Sequence, residues 1–148
     1  MIAENGTFKN RTLRIIMDGY NVMQGSGLLD GVHRRSVTLK QARGEFIEIL
    51  SGIQKITGRI IVIFDSKNTR AGSRRRQRNG VRIIFPYREE ADGFIRRIAD
   101  SKSVVITDDK ELRRSLQENK VVVFSVETMY LMFFLFLGDS GNLINSNQ

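Results

Sequence analysis

Three short apolar runs in this chain, 13–17, 59–64 and 104–107, stop at aspartates, and stretches of helical spacing separate them. This pattern limits the possible folds more than any other feature. Apolar runs of this length bounded by turn residues read as strands buried on both faces of a parallel sheet. Parallel strands put their carboxyl ends on one rim, so Asp18, Asp65 and Asp109 are expected on the same edge despite their distance in sequence. Two more strands are expected at 81–85, closed by Pro86, and at 121–124. The expected fold is therefore α/β, a five-stranded, mainly parallel sheet covered on both faces through right-handed crossovers.

Helical spacing fills the intervals. Leu39, Ala42, Phe46, Ile49, Leu50 and Ile53 predict a long helix with Ser36 as N-cap, ended at Thr57-Gly58. Ala91, Phe94, Ile95 and Ile98 make one stripe of a helix from about Glu89 to Ala99. Leu112 and Leu116 face inward from a short helix, for which Asp108 and Glu111 read as a capping box. Ser125 caps a last helix whose Met129, Tyr130, Phe133 and Leu137 leave little polar face. It reads as a core helix, with a dimer surface as the alternative, so a monomer or weak homodimer is expected. Residues 25–32 read as a glycine-rich loop. Residues 66–80 carry Lys67, Arg70, Arg74, Arg75, Arg76 and Arg78 with hardly an apolar residue, and read as a surface loop or poorly ordered arm. The expected organisation is an extension at 1–12, one domain at 13–137 and a polar tail at 138–148.

Composition excludes several chemistries. The chain has no cysteine and one histidine, His33, which removes disulfides, thiolate nucleophiles, thiolate zinc sites and multi-histidine metal sites. Oxygen ligands remain. A net charge of +8 and a pI near 10.3 point to an anionic partner, nucleic acid or an acidic membrane surface. The first residues lack a signal-peptide pattern, and the apolar run 129–137 is far short of the roughly 20 residues of a spanning helix, so a cytoplasmic protein outside the membrane is expected. No glycine-rich turn leads into Lys and Ser or Thr, so a phosphate-binding loop is absent.

Carboxylates brought together on one rim raise each other's pKa, and such a cluster is stable at neutral pH mainly around a cation, Mg²⁺ above all. Glu89 and Asp92, three apart beside the apolar stripe, share a face and can lean over the same rim. Each group also has a structural reading: Asp65 as the opening of a turn, Asp92 as a surface ion pair with Arg96, and Asp108 as a helix cap, the reading preferred for it. Lys67, Arg70, Arg74, Arg75, Arg76 and Arg78, with Arg34 and Arg35 of the His33-Arg34-Arg35 cluster, would draw in a polyanion's phosphates. Tyr20 and Tyr87 are candidates for base stacking or are ordinary packed tyrosines. His33 reads as an aid to phosphate contact. The leading expectation is metal-dependent phosphodiester hydrolysis. A nucleic-acid-binding module with a degenerate acidic site is the alternative, and a phosphatase of the haloacid dehalogenase type ranks low because Tyr20 stands where its second aspartate would be.

Ile16-Met17-Asp18-Gly19-Tyr20-Asn21-Val22, Ile61-Val62-Ile63-Phe64-Asp65, Glu89-Glu90-Ala91-Asp92-Gly93-Phe94-Ile95 and Val105-Ile106-Thr107-Asp108-Asp109-Lys110-Glu111-Leu112 together resemble the motif series of the NYN domains, in particular the YacP-like branch of the PIN-like nuclease superfamily. The resemblance spans about Leu13 to Phe124. It implies a Rossmann-like α/β/α sandwich and a ribonuclease dependent on Mg²⁺ or Mn²⁺, endonucleolytic and acting in RNA processing or messenger RNA decay. It also implies Asp18, Asp65, Asp92 and Asp109 as metal-site carboxylates, Glu89 adjoining them, and Asn21 positioning the first aspartate or the substrate. RNA is the implied partner, with the ribosome as a further one. The alternative then becomes a non-catalytic RNA- or ribosome-binding module. The glycine-rich 25–32 segment and the arginine-rich arm depart from the usual pattern and bear on substrate identity.

Overall fold

The computed structural model describes residues 13–66, 74–133 and 135. Its centre is a six-stranded sheet in the order β3-β4-β2-β1-β5-β6, formed by β1 (Arg14–Asp18), β2 (Arg59–Ile63), β3 (Arg74–Arg78), β4 (Val81–Phe85), β5 (Ser103–Ile106) and β6 (Val122–Phe124). Every pairing is parallel except that of β3 with β4. The helices are α1 (Gly19–Gly25), α2 (Asp30–His33), α3 (Leu39–Thr57), α4 (Ala91–Ile98), α5 (Lys110–Glu118) and α6, residues 126–133. Among the described residues no helix is long and apolar enough to cross a membrane.

The alternation of side chains along each strand divides the core into two layers. Ile15, Met17, Ile60, Val62 and Ile106 pack with Phe46 and Leu50 of α3, Val22 and Met23 of α1, and Met129 and Phe133 of α6. Ile16, Ile61, Ile63 and Val105 pack on the other face with Phe94 and Ile95 of α4 and Leu112 and Leu116 of α5. Each of these aliphatic side chains stabilises the fold by about 1.5–3 kcal/mol on burial. The three-layer α/β/α expectation holds. On α6, Met129 and Phe133 belong to the core while Tyr130, Leu131 and Met132 are exposed, and Leu137 lies outside the described residues.

The structure corrects four sequence expectations. The sheet has six strands, not five, because residues 74–78 form an edge strand and not a loop. Asn79 and Gly80 both have positive φ (50° and 83°) and join β3 to β4 in a two-residue turn, the Asn-Gly signature of a tight hairpin. Five exposed polar side chains, four of them arginine, suit an edge strand, where charge discourages further pairing. Lys67 and Arg70 lie outside the described residues. Helices α1 and α2 occupy most of the interval read as a break and a glycine-rich loop. Finally, α3 is capped by Thr38, not Ser36: the Thr38 hydroxyl accepts from the Gln41 N–H, and the Gln41 side chain accepts from the Thr38 N–H.

Gly19 lets α1 start directly at the end of β1. A Cβ there would lie 2.5 Å from the Phe64 ring and 2.9 Å from the Ile63 carbonyl oxygen. Gly19→Ala is expected to destabilise the protein by about 1–3 kcal/mol through overpacking. Gly52→Ala, with nothing within 4 Å of the added methyl in the middle of α3, is expected to stabilise it by about 0.5–1 kcal/mol. Urea denaturation of the two variants checks both signs, and equal midpoints would contradict this account.

Candidate active site

The carboxylates gather where the strand order reverses. β1 is the first strand and lies between β2 and β5, so the crevice beyond its carboxyl end is the switch point of the sheet. Asp18 ends β1 level with Ile63. Asp65 lies two residues past Ile63 on one side. On the other side Met17 is level with Ile106, so Asp109 lies two residues beyond the level of Asp18. Asp92 stands in the first turn of α4.

Asp18 is largely buried, which pushes its carboxyl pKa up to about 7. After burial, the causes are the negative charges of Asp65 and Asp109 and, more weakly, Asp92, while a hydrogen bond from Thr107 acts in the opposite direction. The four aspartates are thus one electrostatic group. Glu89, just before α4, is in an ion pair with Arg97 at 2.9 Å.

Each rim carboxylate is also tied to the scaffold. Asp65 Oδ1 accepts from the Ala91 N–H at 2.5 Å, holding the amino end of α4, where the helix dipole favours negative charge. Asp109, not Asp108, is the N-cap of α5, its Oδ1 accepting from the Leu112 N–H at 2.9 Å. Asp108 turns instead toward α6 and accepts from the Val126 N–H at 3.0 Å. The helix begins one residue later than the capping-box reading requires, because the Thr107 hydroxyl accepts from the Asp109 N–H and holds that residue extended. Asp92 makes the anticipated pair with Arg96, at 3.6 Å.

Thr107 is one of two residues that sequence reasoning missed. Fully buried, it places its hydroxyl 3.4 Å from Asp18 Oδ2, 3.2 Å from Asn21 Oδ1 and 3.1 Å from the Asp109 nitrogen. Asn21 Oδ1 also accepts from the Asp108 N–H at 2.7 Å, so Asn21 meets Asp18 through Thr107. The available signal was a lone hydroxyl ending an apolar run just before two aspartates. Arg113 was also missed: its guanidinium donates to the Thr107 carbonyl at 3.3 Å, and its buried Nε has no hydrogen-bond partner among the described residues.

The other candidates lie outside this rim group. Tyr20 packs against Phe64, with ring centroids 4.9 Å apart, and its hydroxyl is 3.0 Å from an Arg43 nitrogen. Tyr87 is 48 % exposed, with the Arg88 guanidinium over its ring. His33, Arg34 and Arg35 are exposed around the end of α2. Arg74, Arg75, Arg76 and Arg78 lie on the sheet edge, with β4 and β2 between them and β1.

An all-oxygen donor set and the mutual repulsion felt by Asp18 suit a hard divalent cation, which neutralises such a cluster. Among the described residues, no three His, Cys, Asp or Glu side chains already form a set of metal ligands. The donors fit the ion chemically, with water completing the shell as Mg²⁺ commonly requires.

The metal-free protein should show this repulsion as a pH dependence. Folded Asp18 keeps its proton up to about pH 7, whereas in the unfolded chain it ionises near 3.8. The folded state therefore holds the extra proton between these values, and stability falls as pH rises through that window. In EDTA, Asp18→Asn is expected to exceed the wild type in stability at pH 7 and above by up to about 4 kcal/mol, and by little near pH 4. Denaturation curves across this range check the difference, which would stay constant if Asp18 titrated normally.

The model of the YacP-like NYN domain matches residues 15–133. The structure is similar to the crystal structure of a mutant of Rae1 (YacP) from Bacillus subtilis, with a TM-score of 0.60 and 23 % sequence identity over 77 % of this chain and 70 % of that one. No curated protein matches the sequence significantly. With well over half of its length matched, the chain belongs to the YacP-like NYN domain family, a nuclease family with RNA-related function.

Proposed function

We propose that this protein is a ribonuclease dependent on Mg²⁺ or Mn²⁺ that hydrolyses phosphodiester bonds within RNA strands. The observation that carries the reading is the coupling of Asp65, Asp109 and Asp92 to Asp18 at the switch point of the sheet. Asp18, Asp65, Asp92 and Asp109 are the residues that would hold the ion, which when bound supplies a more acidic water and neutralises charge at the phosphate. The chain provides the orientation. Thr107 fixes Asp18 Oδ2 and the Asp109 backbone, Asn21 holds the Thr107–Asp108 turn, and the amino ends of α4 and α5 anchor Asp65 and Asp109. Glu89, through its pair with Arg97, supports the entry to α4. The net charge of +8 suits RNA and, in the same proposal, a ribosomal partner in the cytoplasm.

A second reading is an RNA- or ribosome-binding module whose acidic site is inactive, favoured by the lack of a ready-made ligand set among the described residues. Cleavage of single-stranded and structured RNA during Mg²⁺ and Mn²⁺ titration separates the two. Wild-type protein is expected to cleave only with the ion, and Asp18→Asn to lose at least about 100-fold of that rate while still binding RNA. Salt-sensitive binding with no cleavage at any ion concentration would establish the second reading. Thr107→Val, which keeps the shape and removes the hydroxyl, is expected to lower cleavage about 10- to 100-fold with RNA affinity unchanged. Full activity in that variant would refute the positioning role.

A further inference from the structure

A groove of about 350 Å³ runs between α3 and the β3–β4 hairpin. Lys40 and Arg43 line it from the helix, and Arg76 and Arg78 from the edge strand. Its floor is apolar, built from Ile47, Ile83 and Phe85. The opposing carboxylate is Glu48, which pairs with Arg78 at 3.0 Å, so positive charge is in excess along these walls.

The groove joins the acidic rim through a chain of contacts. Phe64, also in its lining, directly precedes Asp65 and stacks on Phe85 with ring centroids 5.4 Å apart. The Arg43 guanidinium sits over Phe85 at 5.7 Å and bonds to the Tyr20 hydroxyl, two residues beyond Asp18. The register supplies the cations on the same side. Arg76 lies opposite Ile83 and Arg78 opposite Val81, and both partners belong to the α3-facing core, so the two arginines point toward α3.

We infer that this groove is a track for single-stranded RNA leading to the carboxylate rim, with phosphates held by Lys40, Arg43, Arg76 and Arg78 and an unpaired base packed on the apolar floor. The inference rests on the reading of RNA as substrate. Cationic walls alone would accept any polyanion, whereas an apolar floor between them is matched by a strand whose bases are free of pairing. The arrangement also gives a use to the arginines of β3, which β4 and β2 separate from the strand of Asp18.

The test is fluorescence anisotropy of a short, labelled, unstructured oligoribonucleotide with the full-length protein in EDTA, where binding is read without turnover. The variant pair Lys40→Ala with Arg76→Ala removes two exposed cations from the groove. The pair Arg59→Ala with Arg82→Ala removes two exposed cations at the amino ends of β2 and β4, the opposite end of the sheet. The groove pair is expected to bind at least about tenfold more weakly and to flatten the dependence of log affinity on log salt by about 1.4, while the control pair stays within about twofold of wild type. The same strand with abasic sugars, and a duplex of the same sequence, are expected to bind wild type several-fold more weakly. Equal losses in the two pairs, or an abasic strand bound as tightly as the intact one, would overturn the track. A parallel cleavage assay with Mn²⁺ separates this inference from the nuclease reading. The expected binding pattern without cleavage supports the track and defeats the nuclease, whereas wild-type cleavage that survives unchanged in the groove pair defeats the track alone.

Discussion

Because β1 pairs in parallel with β2 on one side and β5 on the other, three chain segments reach the same edge of the sheet at matched heights. Met17 is level with both Val62 and Ile106. From that common level each chain runs on into an aspartate. A slip of one residue in either pairing would turn alternate side chains from one core layer to the other, so burial of both faces fixes the register and the register fixes the site.

Bringing the carboxylates together costs stability, and the scaffold offsets part of the cost. Asp65 and Asp109 each accept a backbone N–H at the amino end of a helix, where negative charge is favoured. Asp18, largely buried, receives the longer bond from Thr107 and feels the charges of Asp65, Asp109 and Asp92. A counter-ion beside this buried carboxylate would offset that cost.

Charge is distributed unevenly over the fold. Acid gathers at the carboxyl ends of the central strands, and base lines the α3–hairpin groove to one side. Phe64 and Phe85 lie between the two, along with the Arg43–Tyr20 contact. A polyanion attracted to the basic side would thus be led toward acid groups that repel it until a cation is present.

The fold class was legible in the sequence because buried parallel strands leave near-continuous apolar runs and their helices leave a 3.6-residue period; the runs ending at Asp18 and Asp65, with Asp109 two residues past the end of the run at Thr107, already implied a shared rim. The Asn79-Gly80 turn was written in the chain too, but surrounding arginines hid the strand, since an edge strand needs no apolar face. Only the tertiary structure decided the roles of Asp108 and Asp109. Both follow an apolar run and precede a helix, and which one caps α5 depends on the Thr107 hydroxyl, set beside Asp18 and Asn21, both far away in sequence. The same holds for Lys40 and Arg43, which look like ordinary helix-surface cations until the hairpin is folded opposite them. Periodicity reports which face of an element is buried, whereas the partner that meets each polar group is set by the packing of distant segments.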